Sequence, residues 1–563
     1  MTIINYQRPR IINSVILIGL AILTFGLVFL ALTPPYSRDA LIHHLAIPKL
    51  WIDKGGFYET PGAVFSYYPM NIEILYLLCL IIGTDILSKV IHLCFALGTG
   101  LIIYFYIKPK LGRTYSLLGM LIWISTPIVI YVGTIAYIDF GVTFFMMLAF
   151  FFFLRLMENE SISLKKNIIL FSLFTGLALG AKYTALITLP FFSGCLFIIE
   201  SRKSGKVKAL KYTAIYLFLS IFVASPWYFK NVYLTGNPIY PLSLPLSISD
   251  EQKEENANVK NSSSMSNEED NARVELGGST LLARRVLYSE NIFQILAIPL
   301  RIFWQGKDNN SQYFDGVLNP IFLVFLPFFW FERKARKQLL VMFFFAWFFI
   351  FMVFFLQGMR IRYIIPAIPP LVILNVFGIR NIIQRRSIIV RSLVIVLLVF
   401  LIGMNFNYLW KRMDFVKPWR YLSSNETREQ FLDRLVGSYR PINWINNNLP
   451  QDAKVLFILA GHRGYYCERE YRFYPNFGQG TLDMMVKSNN VEDLRRLCSQ
   501  LRGTHLFTNH YLVFKYLRSY YSEEDIDKFR YNMNLISKQL YKEGPFSVLE
   551  LQYDSPQKNT GHH

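Results

Sequence analysis

The chain has 563 residues, 53% of them apolar and 17% charged, with a formal net charge of +20. One soluble core cannot absorb that apolar fraction, and the excess is gathered into nearly charge-free blocks of roughly 17–23 residues, the length of a bilayer-spanning helix. Lys and Arg fall in short clusters between the blocks, among them Lys108, Lys110 and Arg113, then Arg202, Lys203, Lys206 and Lys208, then Arg333, Lys334, Arg336 and Lys337; this placement excludes a nucleic-acid surface and reads as the positive-inside signature of cytoplasmic loops.

In chain order, the first block, 11–32, is long and lacks a small-residue cleavage site, so it is expected as an uncleaved span. A long outward loop over 33–84 follows, with helical apolar patterning at 41–51 and 71–82. These pieces are too short to span and are expected along the interface. Further spans are placed at 86–107, 115–132, 140–156, 167–181, 184–200 and 211–228. The second outward loop, 231–319, contains a polar run at 250–273, rich in Asn, Glu and Ser, that buries too little apolar surface to fold and is expected as a mobile insert. An interfacial helix is expected at Ile292–Trp304.

Spans at 317–331, 339–356, 363–380 and 389–408 complete a set of eleven, N-terminus inside and C-terminus outside; 167–181 and 317–331 are short for the task. The fold class expected is mostly α: a polytopic transmembrane helix bundle over 1–410 and a soluble α/β domain over 411–563. In the latter, Lys454–Ala460, His505–Asn509 and Phe546–Leu551 read as strands, and Val491–Leu501 and Glu523–Glu543 as helices. Cys467 and Cys498 both fall there, and a disulfide between them stays open.

Ionisable residues in or beside spans are costly and therefore informative. On the outward side they are Asp39, His43, His44 and Glu73 in the first long loop, Asp139 at the head of the fourth span, Lys182 between the fifth and sixth, and Arg360 and Arg362 between the ninth and tenth. A carboxylate that takes a proton from an acceptor hydroxyl, with cations that stabilise a phosphate leaving group, makes a group-transfer site. Asp39 and His43 share a helical face, and His44 points elsewhere. Each residue also has a structural reading. Asp39 and Asp139 suit helix caps, Lys182 a snorkelling cation, Arg360 and Arg362 lipid-headgroup anchors, and Glu73 a solvated interfacial charge. Metal ligation by His43 and His44 lacks a third ligand.

Several stretches resemble the bacterial GT-C membrane glycosyltransferases related to protein O-mannosyltransferases and the lipid A aminoarabinose transferase. They are RDALIHHLAIPKLW (Arg38–Trp51), AYIDFGVTFF (Ala136–Phe145), GLALGAKYTAL (Gly176–Leu186), PWYFKNVYLTGNPIYP (Pro226–Pro241), FDGVLNP (Phe314–Pro320) and RYIIPAIPP (Arg362–Pro370). The resemblance implies a GT-C-type fold in the bacterial inner membrane with the C-terminal domain extracytoplasmic. It also implies transfer of a sugar from a polyprenyl-phosphate donor to a lipid, glycan or protein acceptor. Asp39 is then the base or the acceptor-orienting carboxylate, Asp139 the second acidic position, and Lys182, Arg360 and Arg362 the cations for the carrier phosphate; His43, His44 and Glu73 complete the substrate-site candidates. The family's Asp-Glu pair is absent, since Ala40 follows Asp39. No cofactor is required by the reading, although a divalent cation is compatible with it. The alternatives are a ligase or polymerase of lipid-linked glycans and a polytopic transporter or flippase.

Overall fold

A computed structural model describes residues 2–60, 63–158, 164–242, 280–356, 358–385, 387–461, 463–472 and 479–552. The expected insert at 250–273 lies outside the described residues. The chain divides into two compact units. The first comprises the described residues of Met1–Pro35, Tyr68–Ile239 and Ser266–Glu426, and the second those of Tyr36–Tyr67, Tyr240–Met265 and Thr427–His563.

The first unit is helical. Its elements begin with α1 (Thr2–Ala31), and in the second unit α2 is Ala46–Asp53. The first unit continues with α3 (Asn71–Ile81), α4 (Ile86–Leu111), α5 (Arg113–Ser125), α6 (Pro127–Val132), α7 (Asp139–Met157), α8 (Leu164–Leu179), α9 (Thr188–Ser204) and α10 (Lys206–Thr235). After the short α11 (Thr280–Tyr288), α12 (Ile292–Leu296), α13 (Ile298–Arg301) and α14 (Ile321–Val324) come α15 (Arg336–Leu356), α16 (Ile368–Arg385), α17 (Ile388–Val416) and α18 (Pro418–Leu422).

Among the described residues eight helical segments are long and apolar enough to cross a bilayer, against the eleven expected. The expected span at 115–132 is broken between α5 and α6, where Thr126 takes an extended conformation before Pro127, as the residue ahead of a proline favours. The 167–181 block is the 16-residue α8, and 317–331 is α14 followed by a 3-10 turn, Leu326–Phe331, with Pro327 in its first turn.

The centre of this unit is α16. It packs on α4, α5, α15, α17 and the Leu326–Phe331 turn, and Leu371, Val372, Ile373, Leu374, Val376 and Ile379 are buried. Gly378 lets the Phe325 carbonyl approach to where a Cβ would stand, 2.2 Å away. The end of α1 is held by a residue with no counterpart among the sequence candidates. Lys89, fully buried on α4, donates to the Leu30 and Thr33 carbonyls at 2.9 and 2.8 Å, so a cation satisfies the orphan acceptors of a helix C-terminus.

The second unit carries a five-stranded sheet of order β2-β1-β3-β5-β4, with β1 Lys454–Ile458, β2 Glu470–Arg472, β3 His505–Asn509, β4 Ser537–Glu543 and β5 Phe546–Leu551. β1 pairs in parallel with β2 and β3, while β5 pairs antiparallel with β3 and β4. Its helices are α19 (Arg428–Leu435), α20 (Tyr439–Asn448), α21 (Gln479–Val486), α22 (Val491–Gln500), α23 (His510–Tyr520) and α24 (Glu523–Ile536).

Alternation along β1 separates two cores. Leu456 and Ile458 face Leu494, Cys498, Ile526 and Ile536. Val455 and Phe457 face Ile442, Ile445, Cys467 and Ala63. Cys467 and Cys498 therefore belong to opposite faces of the sheet, and both are free thiols. The helix expected over Glu523–Glu543 stops at Ile536, and Ser537–Glu543 is instead β4, turned onto β5 at Gly544 (φ +52) and Pro545. Ladder pairing with β5 overrides the helical spacing read from the sequence. The C-terminal stretch of the second unit starts at Thr427, beyond the 411 expected; α17 runs to Val416 and α18 follows it.

Candidate active site

Three chain breaks in the first unit present the charged residues. The first is the turn ahead of α7, where Asp139 is the first helical residue and the cap position belongs to Ile138. The helix-cap reading of Asp139 therefore fails: its carboxylate, 5% exposed, takes a 2.7 Å hydrogen bond from Lys182 Nζ. An acid in the first turn also sits in the favourable end of the helix dipole.

The second break ends α8. Asn71, at the start of α3, donates its backbone N–H to the Gly180 carbonyl (2.9 Å) and its Nδ2 to the Leu177 carbonyl (3.1 Å), and its Oδ1 accepts from Trp227 Nε1 (2.7 Å). A Cβ on Gly180 would lie 2.3 Å from Asn71 Nδ2, so only glycine admits this clamp. Lys182 then follows in extended conformation, opening the 3-10 turn Tyr183–Ile187. It is 22% exposed and paired with Asp139, which is not the pose of a snorkelling side chain.

The third break is the 3-10 turn Ile361–Ala367, preceded by Arg360 in extended conformation. The Ile361 N–H donates to the Phe314 carbonyl (2.8 Å), which ties the turn to the 306–316 segment. That segment is anchored in turn by a buried network. Arg284 Nε lies 2.8 Å and Arg301 Nη2 2.9 Å from the Glu290 carboxylate, and both guanidinium groups lie over the Phe314 ring, at 5.0 and 5.6 Å.

The ring of Tyr363 gathers the cations: Lys182 Nζ lies 5.2 Å from its centroid, the Arg362 guanidinium 5.2 Å and the Arg360 guanidinium 5.6 Å. Arg362 also lies 4.9 Å over Tyr137 and acts electrostatically on Asp139. Cations held over aromatic faces keep their charge and their aim, which suits them to an anion.

Glu73 is 2% exposed and so is not the solvated interfacial charge expected. It lies on α3, outside the eight spans. Burial pushes its carboxyl up to about 8, against the opposing pull of its own backbone N–H, Lys182 and Lys230, with Asp139 adding to the rise.

Five of the eight residues singled out in the sequence thus lie in the first unit, where Lys182, Arg360 and Arg362 meet around Tyr363 and Asp139 pairs with Lys182. Asp39, His43 and His44 belong to the second unit. Asp39 precedes a π-helical turn, Ala40–His44, and makes no side-chain cap bond to it, so the capping reading fails there too. The His43 and His44 rings do not diverge: their centroids are 4.0 Å apart, and His43 stacks on Phe65 at 4.4 Å. Among the described residues no group of three or more His, Cys, Asp and Glu could hold a metal ion.

Three residues escaped the sequence reading. Tyr363 and Lys230 both lie inside quoted stretches, RYIIPAIPP and PWYFKNVYLTGNPIYP, so their signal was present. Lys230 Nζ lies 5.1 Å over the Trp227 ring. His92, in the middle of an apolar block, carried no local signal.

A family model described as a domain of unknown function (DUF8201) matches residues 136–269. No curated protein matches the chain in sequence. Among solved structures, the chain is similar to apo ArnT from Cupriavidus metallidurans, with TM-score 0.54 and 12% identity over 97% of this chain and 99% of that one. ArnT bound to undecaprenyl phosphate matches with TM-score 0.54 and 12% identity over 95% and 98%. The Archaeoglobus fulgidus oligosaccharyltransferase tethered with an acceptor peptide matches with TM-score 0.53 and 11% identity over 96% of this chain and 75% of that one. The common architecture is the GT-C type, as the sequence resemblance implied. At these identities the likeness is one of fold.

Proposed function

We propose that the protein is a membrane glycosyltransferase that moves a sugar from a polyprenyl-phosphate carrier to an acceptor hydroxyl at the outward membrane boundary, with inversion. The observation that carries the reading is the convergence of Lys182, Arg360 and Arg362 on the Tyr363 ring beside Asp139. The shared fold with ArnT, whose structure holds undecaprenyl phosphate, supports it.

In this mechanism the acceptor oxygen attacks the anomeric carbon from the face opposite the phosphate. The bond from that carbon to the phosphate oxygen breaks, and its electron pair leaves with polyprenyl phosphate. Lys182, Arg360 and Arg362 neutralise the charge that grows on the leaving phosphate. Asp139 aims Lys182, and a carboxylate acting as general base takes the acceptor's proton. Holding donor and acceptor together supplies the remaining acceleration. The acceptor is a lipid, glycan or protein hydroxyl, and the protein sits in the bacterial inner membrane with its C-terminal unit extracytoplasmic.

The test is to incubate the purified full-length chain with a panel of polyprenyl-phosphate sugars and detect released carrier phosphate. Release is expected with at least one donor. Lys182→Ala and Arg362→Ala are each expected to lower turnover by about 100-fold, the usual scale for one electrostatic donor. Failure to release carrier from any donor, or full activity in Lys182→Ala, ends the reading. Release only from carriers loaded with a preassembled glycan would make the enzyme a ligase.

A further inference from the structure

His92 lies on α4, fully buried, and both ring nitrogens are engaged. Its Nε2 accepts the backbone N–H of Phe140 at 3.0 Å, and its Nδ1 lies 2.9 Å from the Ile135 carbonyl. A nitrogen that accepts an N–H carries no proton, so the ring is neutral with its hydrogen on Nδ1, donated to Ile135. The two bonds grip the chain on either side of Asp139.

They reach further than that residue. The Ile135 carbonyl also accepts the Tyr137 N–H at 3.0 Å, and Tyr137 is the ring beneath Arg362. The Tyr137 carbonyl is in turn held by the buried hydroxyl of Tyr76. The segment 135–140 is otherwise poor in internal support, because it leaves α6 and has only begun α7. A buried polar side chain that is fully paired is often nothing more than a satisfied core residue. Here, however, its two partners bracket one charged residue and the platform of another.

We propose that His92 is the positioning residue of the cluster: its two nitrogens fix the backbone around Asp139 and Tyr137, and so set the aim of Asp139 on Lys182 and the seat of Arg362. The consequence for turnover rests on the sugar-transfer reading; the geometric claim does not. Three replacements separate the contributions. His92→Phe removes both bonds and keeps the ring. His92→Gln can present an acceptor near the Nε2 position, and His92→Asn a donor near Nδ1.

The first measurement is hydrogen–deuterium exchange on the full-length chain. His92→Phe is expected to raise exchange at the Phe140 amide and across 135–140 while leaving α16 at wild-type protection, and His92→Gln to restore protection at Phe140. Unchanged exchange at Phe140 in His92→Phe, or a uniform rise that includes α16, overturns the proposal. The second is carrier release in a double-mutant cycle. His92→Phe alone is expected to lose about 10-fold or more in turnover, given that a misplacement of about 1 Å can cost 100-fold, and to lose clearly less on an Asp139→Asn background, because part of its effect runs through Asp139 and only the rest through Tyr137 and Arg362. Losses that multiply independently overturn the route through Asp139. A wild-type chain that releases no carrier sinks the transfer reading instead, and the exchange pattern then decides the His92 claim alone.

Discussion

Lys182 is shared between a carboxylate and a ring: its ammonium is 2.7 Å from Asp139 and 5.2 Å over Tyr363. Glu73, in the same unit, is a different kind of acid. Because burial raises its carboxyl to about 8, the folded chain holds a proton that the unfolded chain has already released above the usual carboxylate range. Bound protons in excess in the folded state mean that stability falls as pH rises through that window, up to about pH 8. Glu73→Gln removes the titrating group. Its melting temperature relative to wild type is expected to climb from about pH 5 to about pH 8, read by thermal unfolding in detergent at matched ionic strength. Parallel curves would show that Glu73 is ionised in the fold and that Lys182 and Lys230 outweigh its burial.

At the scale of elements, α17 is long and apolar but buries little of its length. Hydrocarbon against hydrocarbon gives little preference for one packing, so polar contacts take over that role. Asn405, 1% exposed, accepts from Asn319 Nδ2 at 2.6 Å and donates to Ser125 Oγ at 3.0 Å, joining α17 to α5 and to the segment ahead of α14. Asn405→Leu leaves the Asn319 amide with one bond fewer in a dry site, a cost of about 1–3 kcal/mol. A lower melting temperature with more proteolysis near 405 is the expected result; Asn405→Asp, which keeps the acceptor, should lose less. Gly180→Ala tests the clamp on α8. A Cβ at 2.3 Å must push Asn71 off its partners, at a cost of about 1–3 kcal/mol from overpacking, and reduced thermal stability is the readout.

At the scale of the whole molecule, the second unit is assembled from pieces far apart in the chain. Lys49, on α2, donates to the Tyr465 and Cys467 carbonyls at 3.0 and 2.9 Å, and Leu50 and Ala63 enter the core that faces Val455 and Phe457. The first long loop, expected along the interface, is therefore in part a structural component of the α/β unit. Lys49→Met keeps the aliphatic stem and removes both hydrogen bonds. It is expected to lower the unfolding temperature of the second unit by a few degrees, detected as early proteolysis within 427–552, while Lys54→Met, on an exposed side chain just beyond α2, should be neutral. No change in Lys49→Met would mean that those carbonyls are equally well served by water.

The sequence by itself determined the class of the protein: runs of apolar residues and clusters of cations are properties of short windows, and they report helices that cross a bilayer whatever else the chain does. β1 and β5 were legible for the same reason, since each is a short apolar-rich run. It also singled out Asp139, Lys182, Arg360 and Arg362, because a charge near an apolar span stands out locally. Only the tertiary structure decided that Asp139 meets Lys182 across 43 residues of chain, that Glu73 is buried, that Ser537–Glu543 is a strand, and that His92 reaches Phe140. Three of these depend on a partner contributed by a distant segment and the strand on its ladder with the neighbouring β5, so none of them is written in the spacing of one short window.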